Sequence, residues 1–403
     1  MRDRWTRVAG LALWGLLLTS APLGAQHSGH ADSRGEITIA DAAPEDPPPL
    51  PVDRNELVEV RTDPEEREVE FVIGPLQLEA GMDHLRVPIQ MAEFPVDGWI
   101  HGFEIEMRGG DGETLPMDLL HHVNFIDPDK RELFSPISRR VMAAGRETST
   151  ERLPGIIGYP IARGDRMLIA AMFANPLEEN YPAASLVVRF FYSDESDGFI
   201  QPRNVFPFYM DVMGLLGVKD FAVPPGRSVM SWEGSPAVPG RILGIGGHVH
   251  DYATRLALID VTEGETLWEV EPEGTPGGQV TGVPSDKFLW TLGKKIYPDH
   301  VYRIEVEYDN PLGEPAPDGG MGAIGGVLWV GRDVEWPAFD RQDDTYVADL
   351  TNTLTAPERL RGHGHGGMNV TSMDGMPGDG TSAAPGKGGD AEYANGDQDA
   401  HGH

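Results

Sequence analysis

The segment Val301-Tyr302-Arg303-Ile304-Glu305-Val306-Glu307-Tyr308 alternates apolar and polar side chains almost without a break. A period of two sends successive side chains to opposite faces of an extended chain, so this segment reads as a half-buried strand. Similar short runs recur between about residues 66 and 338, among them 68–73 and 184–192. Turn signals separate them, such as Gly109-Gly110-Asp111-Gly112, Pro224-Pro225-Gly226 and Glu263-Gly264. With 50 glycines and 34 prolines in 403 residues, the chain is too rich in breakers for a helical bundle. Residues 355–361 are one short helical candidate. The pattern predicts an all-β protein of two antiparallel β-sandwich domains. The polar stretch 193–198 is the expected joint, which puts the domains at 66–197 and 198–340.

The two ends read differently. Arg2, Arg4 and Arg7 precede an apolar run over 8–18, and small residues close it at Gly24-Ala25. This is the pattern of a cleaved export signal over 1–25; the apolar run is short for a membrane anchor, so no stable membrane insertion is expected after cleavage. Residues 26–65 form an acidic, proline-rich leader with Pro44, Pro47, Pro48, Pro49 and Pro51. A tail spans 341–403, and from Gly362 to His403 it holds 12 glycines in 42 residues and no Leu, Ile, Phe or Trp. That composition buries too little apolar surface to offset the entropy of ordering, so disorder is expected from about 362. The tail also carries His363, His365, Met368, Met373, Met376, His401 and His403, which either capture soft metals or are incidental to a solubilising segment.

Composition narrows the chemistry. The chain has no cysteine, which excludes disulfides, thiolate metal sites and cysteine nucleophiles. It has 32 basic against 64 acidic residues, a net charge of −32, which disfavours nucleic acid as a partner. Any soft-metal site must therefore use imidazole and thioether. Seven of the 13 histidines lie in the body, and two pairs stand out, His121-His122 and His248-Val249-His250. Residues two apart on a strand share a face, so His248 and His250 can reach one ion; the bland alternative is a solvent-facing strand. Adjacent His121 and His122 need a bulge or a strand end to turn both rings the same way. Met321 sits in the glycine-rich run Gly319-Gly320-Met321-Gly322. It is either a core residue or a thioether ligand, and beside two imidazoles its sulfur suits copper. His84, His101 and His300 have no partner at ligand spacing and read as ordinary polar or core residues.

In this order the pieces resemble the copper type II, ascorbate-dependent monooxygenases, over most of 66–335. The resemblance rests on His121-His122 and on the strand ending Phe173-Ala174-Asn175-Pro176. In the second half it rests on Tyr209-Met210-Asp211-Val212-Met213-Gly214, Phe221 to Arg227, His248-Val249-His250, Tyr308-Asp309-Asn310 and the segment around Met321. It implies two jelly-roll-like β-sandwiches facing each other across a solvent-filled cleft. An electron-supplying copper would sit on His121, His122 and a third ligand, and an oxygen-activating copper on His248, His250 and Met321. The family's third histidine falls where this chain has Met172, with Ala174 one side chain further along that face, so the site has a thioether ligand, is two-coordinate or is unused. Where the peptide-amidating member has a substrate-binding arginine and a tyrosine, this chain has Gly246 and Gly325, which argues against glycine-extended peptides.

The resemblance thus implies an exported monooxygenase, periplasmic or extracellular, that hydroxylates a C–H bond of a small substrate. It would use O₂, one or two coppers and a reductant such as ascorbate. The alternative is a non-catalytic copper-binding or copper-delivery protein of the cell envelope. Asp251 either orients a ligand ring or is a solvated loop residue.

Overall fold

The computed structural model describes residues 50, 55–148, 150–198, 201–214, 219–317 and 319–355. The basic-apolar start, most of the leader and the glycine-rich tail with its histidines and methionines lie outside them.

The first half carries β1 (Val58–Asp63), β2 (Glu68–Leu78), β3 (Met82–Arg86), β4 (Gln90–Glu93), β5 (Gly98–Arg108), β6 (Leu120–Arg131), β7 (Ser138–Gly145), β8 (Ile157–Ile161), β9 (Arg166–Asn175) and β10 (Tyr181–Ser193). The second carries β11 (Arg203–Asp211), β12 (Gly226–Gly234), β13 (Gly240–Val249), β14 (Ala253–Asp260), β15 (Glu265–Val270), β16 (Tyr302–Asn310) and β17 (Gly322–Trp329). The chain is all-β and sandwich-like, as the alternation predicts. β1 pairs antiparallel with β2, so the last residues assigned to the leader already belong to a sheet.

Two cores hold the halves. In the first, Phe71 meets Phe94, Phe125 and Phe190 edge-on at 5.3, 5.1 and 5.8 Å. Each such buried ring contributes about 1.5–3 kcal/mol. In the second, the predicted alternation is realised: Tyr302, Ile304, Val306 and Tyr308 of β16 are buried. On the opposite face of β16, Glu305 and Glu307 both accept hydrogen bonds from Arg255.

The halves are joined by a shared sheet. One sheet runs β1-β2-β10-β5-β8-β11-β17-β13 through both, and it crosses the joint where β8 pairs in parallel with β11 at Ile157↔Arg203 and Gly158↔Asn204. The remaining large sheets are β3-β9-β6-β7 in the first half, with β4 also on β9, and β12-β16-β14-β15 in the second. A continuous sheet fixes the two halves against each other more firmly than a linker does.

Beyond Thr355, the helix expected at 355–361 lies outside the described residues; the described helix is α1 (Asp344–Thr355), inside the segment read as tail. Tyr346 and Leu350 pack on Ile89, Met91, Ile126 and Leu168, on the outer face of β3-β9-β6-β7. The stripe Tyr346, Leu350, Leu354 at spacing four is the helical signal that marks it in the sequence.

Candidate metal centre

Strand β9 is the axis of the site. Its Ala171 and Phe173 face the first core, so Met172 and Ala174 face outward. Two bulges flank this end of β9. On one side Met172 pairs with His122 and Phe173 with Leu120, which leaves His121 as the extra residue of β6. On the other, Phe173 pairs with Leu85 and Asn175 with Met82, so Asp83 and His84 of β3 together oppose Ala174. A bulge re-aims the side chain at the extra residue. The rings of His84 and His121 accordingly meet, with centroids 4.5 Å apart. His121 and His122 are 4.9 Å apart. His84 therefore belongs with the histidine cluster, contrary to the reading of it as an isolated residue.

In the second half, Ile245 and Val249 of β13 are buried in the core, which turns His248 and His250 to the other face. Gly247 allows a close approach of β14: a Cβ there would stand 2.2 Å from Cδ2 of Leu256. His248 and His250 have centroids 5.4 Å apart. The Tyr308 hydroxyl accepts from the backbone N–H of His250 at 3.3 Å and of Met321 at 2.9 Å, and donates to the Met321 carbonyl. Tyr308 thus ties the end of β13 to the residue preceding β17.

His121 of the first pair and both histidines of the second line one pocket. The ring of His121 stands 5.5 Å from that of His250. A cavity of about 420 Å³ is lined by His84, His121, Ala174, His248 and His250. The resemblance implies two sites held apart across a solvent-filled cleft; here Arg146, Glu147 and Glu151 bridge the halves. Glu147 accepts from Nδ1 of His248 at 2.6 Å, and Arg146 pairs with Asp251 at 3.1 Å. Lys287 pairs with Glu151 at 2.9 Å. Asp251 also accepts from the Val280 N–H, so it is a joint between halves; Glu147 is the carboxylate that orients a ring.

Charge follows burial. Burial first, and then the neighbouring histidines, hold the His121 imidazole far below its ordinary value, and His122 likewise. Burial also opposes charge on His248, but the Glu147 carboxylate and its hydrogen bond outweigh it and the net shift is upward. Neutral imidazoles are the form that ligates metal.

Imidazoles sharing one ion through nitrogens about 2 Å from it stand about 5 Å apart, centroid to centroid, which matches the spacings here. Among the described residues, no three His, Cys, Asp or Glu side chains converge on one ion as they stand. The rings would have to turn to share one. The donor set fits nevertheless: Nδ1 of His122 and Nε2 of His248 are buried without a hydrogen-bond partner, a state that asks for a ligand role or another explanation.

Met172 is buried between cross-strand partners His122 and Arg86. Neither it nor Met321 lines the pocket. Gly246 and Gly325 are direct cross-strand partners; a Cβ at 325 would meet nothing within 4 Å, and one at 246 would meet Cβ of Ser285 at 3.4 Å. His101 lies on β5, and His300 is paired with Asp260 at 2.7 Å.

No family model and no curated protein matches the chain. Among solved structures it is similar to PNGF-II, at 10% identity and a TM-score of 0.29, over 68% of this chain and 62% of that one. The chain thus spans less than two thirds of that relative's length. It is also similar to PNGase F, a glycosylasparaginase from Flavobacterium meningosepticum, at 9% identity and a TM-score of 0.25, over 71% and 96% of the two chains. A third is the VP2 subviral particle of infectious bursal disease virus, at 12% identity and a TM-score of 0.21, over 73% and 77%.

Proposed function

We propose that the chain is an exported, copper-dependent monooxygenase acting on a small substrate, with His121, His122, His248, His250 and Met321 as the metal-binding residues. The observation that carries this reading is the meeting of His121 and His250, from two halves of the chain, in one pocket. Clustered imidazoles, with Met321 as a thioether donor, favour copper over harder ions. Copper bound there would supply one-electron chemistry and activation of O₂. The overall balance is one substrate C–H, one O₂, two electrons and two protons giving one alcohol and one water. The electrons come from ascorbate or a similar small donor.

The protein's own contribution is positional. Glu147 holds His248 through Nδ1, which leaves Nε2 for the metal. Tyr308 fixes the backbones of His250 and Met321 relative to each other. The open space at Gly325, cross-strand from Gly246, leaves room for a substrate without the contacts an arginine and a tyrosine would make.

A second reading, copper carriage without turnover, is favoured by one observation: Met172 and Ala174 stand where the resemblance asks for a third histidine on β9.

The test is copper per chain together with ascorbate-dependent O₂ uptake over a substrate panel. Bound copper with coupled uptake, both lost or reduced in His248→Ala, supports the enzyme. Bound copper without turnover supports the carrier. No copper overturns both, and turnover surviving His248→Ala overturns the assignment of the oxygen-activating residues.

A further inference from the structure

We infer that His84 is a metal ligand, and that it supplies from β3 the imidazole that β9 lacks. This inference rests on the copper reading and names a residue that neither the motifs nor the resemblance assigns.

Three observations converge. First, the register slip between β3 and β9 sets Asp83 and His84 against the single residue Ala174, which aims the His84 ring over the end of β9. Second, the mirror slip on β6 aims His121 over the same end from the opposite side. The two rings meet at 4.5 Å, the shortest spacing among the described histidine rings. Both line the pocket, and so does Ala174, whose methyl leaves the space between them open. Third, Nδ1 of His84 stands 3.1 Å from Oδ1 of Asp83. A carboxylate on one ring nitrogen fixes the tautomer and presents the other nitrogen to an ion.

The geometry also demotes Met172. Its cross-strand partners are His122 and Arg86, and unlike Ala174 on the same face it is absent from the pocket wall. The loss of a histidine on β9 and the presence of one on β3 are then two parts of one substitution.

The test measures copper affinity by competition with a chromophoric chelator, and nitrogen coordination by spectroscopy of the Cu(II)-loaded protein. The variants are His84→Ala, His84→Gln, Met172→Leu and, as reference, His121→Ala. Outer-shell substitutions cost about 10–100-fold in metal affinity, so loss of a ligand exceeds that range. The expected result is a loss above about 100-fold in both His84 variants, comparable to His121→Ala, with one nitrogen fewer in the Cu(II) spectrum. Met172→Leu should stay close to the parent. The inference is overturned if folded His84→Gln binds copper as the parent does while His121→Ala does not. Failure of the parent to bind copper is a different outcome, and removes the copper reading itself.

Discussion

The carboxylate of Glu147 stands 2.6 Å from Nδ1 of His248, and these two residues come from different halves of the chain. A carboxylate only accepts, so His248 carries its proton on Nδ1 and keeps Nε2 for another partner. The contact therefore joins the two halves at a candidate ligand.

Replacing Glu147 should loosen the metal without removing a ligand. Glu147→Gln retains an acceptor and loses the charge, whereas Glu147→Ala loses both. Copper affinity is expected to fall by about 10–100-fold in the alanine variant and by less in the glutamine variant. Chelator competition orders the three proteins. Equal affinities would mean that the His248 ring is held by something other than this bond.

Tyr308 offers a test that needs no metal. Its ring is buried and its hydroxyl serves three backbone groups, the N–H of His250 and both the N–H and the carbonyl of Met321. Tyr308→Phe keeps the edge-on contact with Phe221 and strands those groups. The expected cost is about 1–3 kcal/mol, read as a lower denaturation midpoint at an unchanged slope. A changed slope would point instead to an altered unfolded or native ensemble.

How much of this was legible follows from the range of each interaction. The alternation over 302–308 is local, and the buried face of β16 matches it residue by residue. The need for a bulge at His121-His122 is also local, because neighbours on a regular strand diverge. His84 was not legible: it lies 37 positions before His121, and only the pairing of β3 and β6 with opposite edges of β9 joins them. Glu147 was hidden for the same reason, 101 positions before its histidine. The meeting of His121 with His250 joins residues 129 positions apart across the two halves, which no short motif encodes.

The pair His300–Asp260 gives a pH dependence whose sign can be worked out. The hydrogen bond to Asp260 raises the His300 imidazole above its ordinary value. Burial works to raise the Asp260 carboxyl, but the bonds from His300 and from the Glu263 N–H outweigh it, and it ends below the usual range. The histidine's contribution is complete below its unfolded value of about 6.5 and fades as pH rises through the folded one. The carboxylate's contribution holds above about 3.9 and fades as pH falls. The pair should stabilise most between about pH 4 and 6.5. His300→Gln should then lower the melting temperature most near pH 5.5, and the difference from the parent should shrink toward pH 9. A difference that grows with pH would refute the pairing.

Arg140 and Asp349 test whether α1 is part of the fold or an appendage. The guanidinium donates to both carboxylate oxygens, at 2.8 and 2.6 Å, and both side chains are buried. Burial opposes the charge on Arg140, and Asp349 more than compensates, so the guanidinium is held above its ordinary value. Removing one partner strands the other charge away from water, which costs about 3–5 kcal/mol. Replacing both with apolar residues of similar size is commonly neutral. Asp349→Ala should therefore destabilise strongly, and Arg140→Met combined with Asp349→Leu should recover most of the loss, both read by equilibrium unfolding. The same helix buries Tyr346 and Leu350 over Ile89, Met91, Ile126 and Leu168, on the sheet whose far end carries His84 and His121. If Asp349→Ala unfolded in the same transition as the parent at a lower midpoint, α1 and the histidine-bearing sheet would form one cooperative unit. A separate early transition, with the remainder unchanged, would show that the helix docks independently of the site.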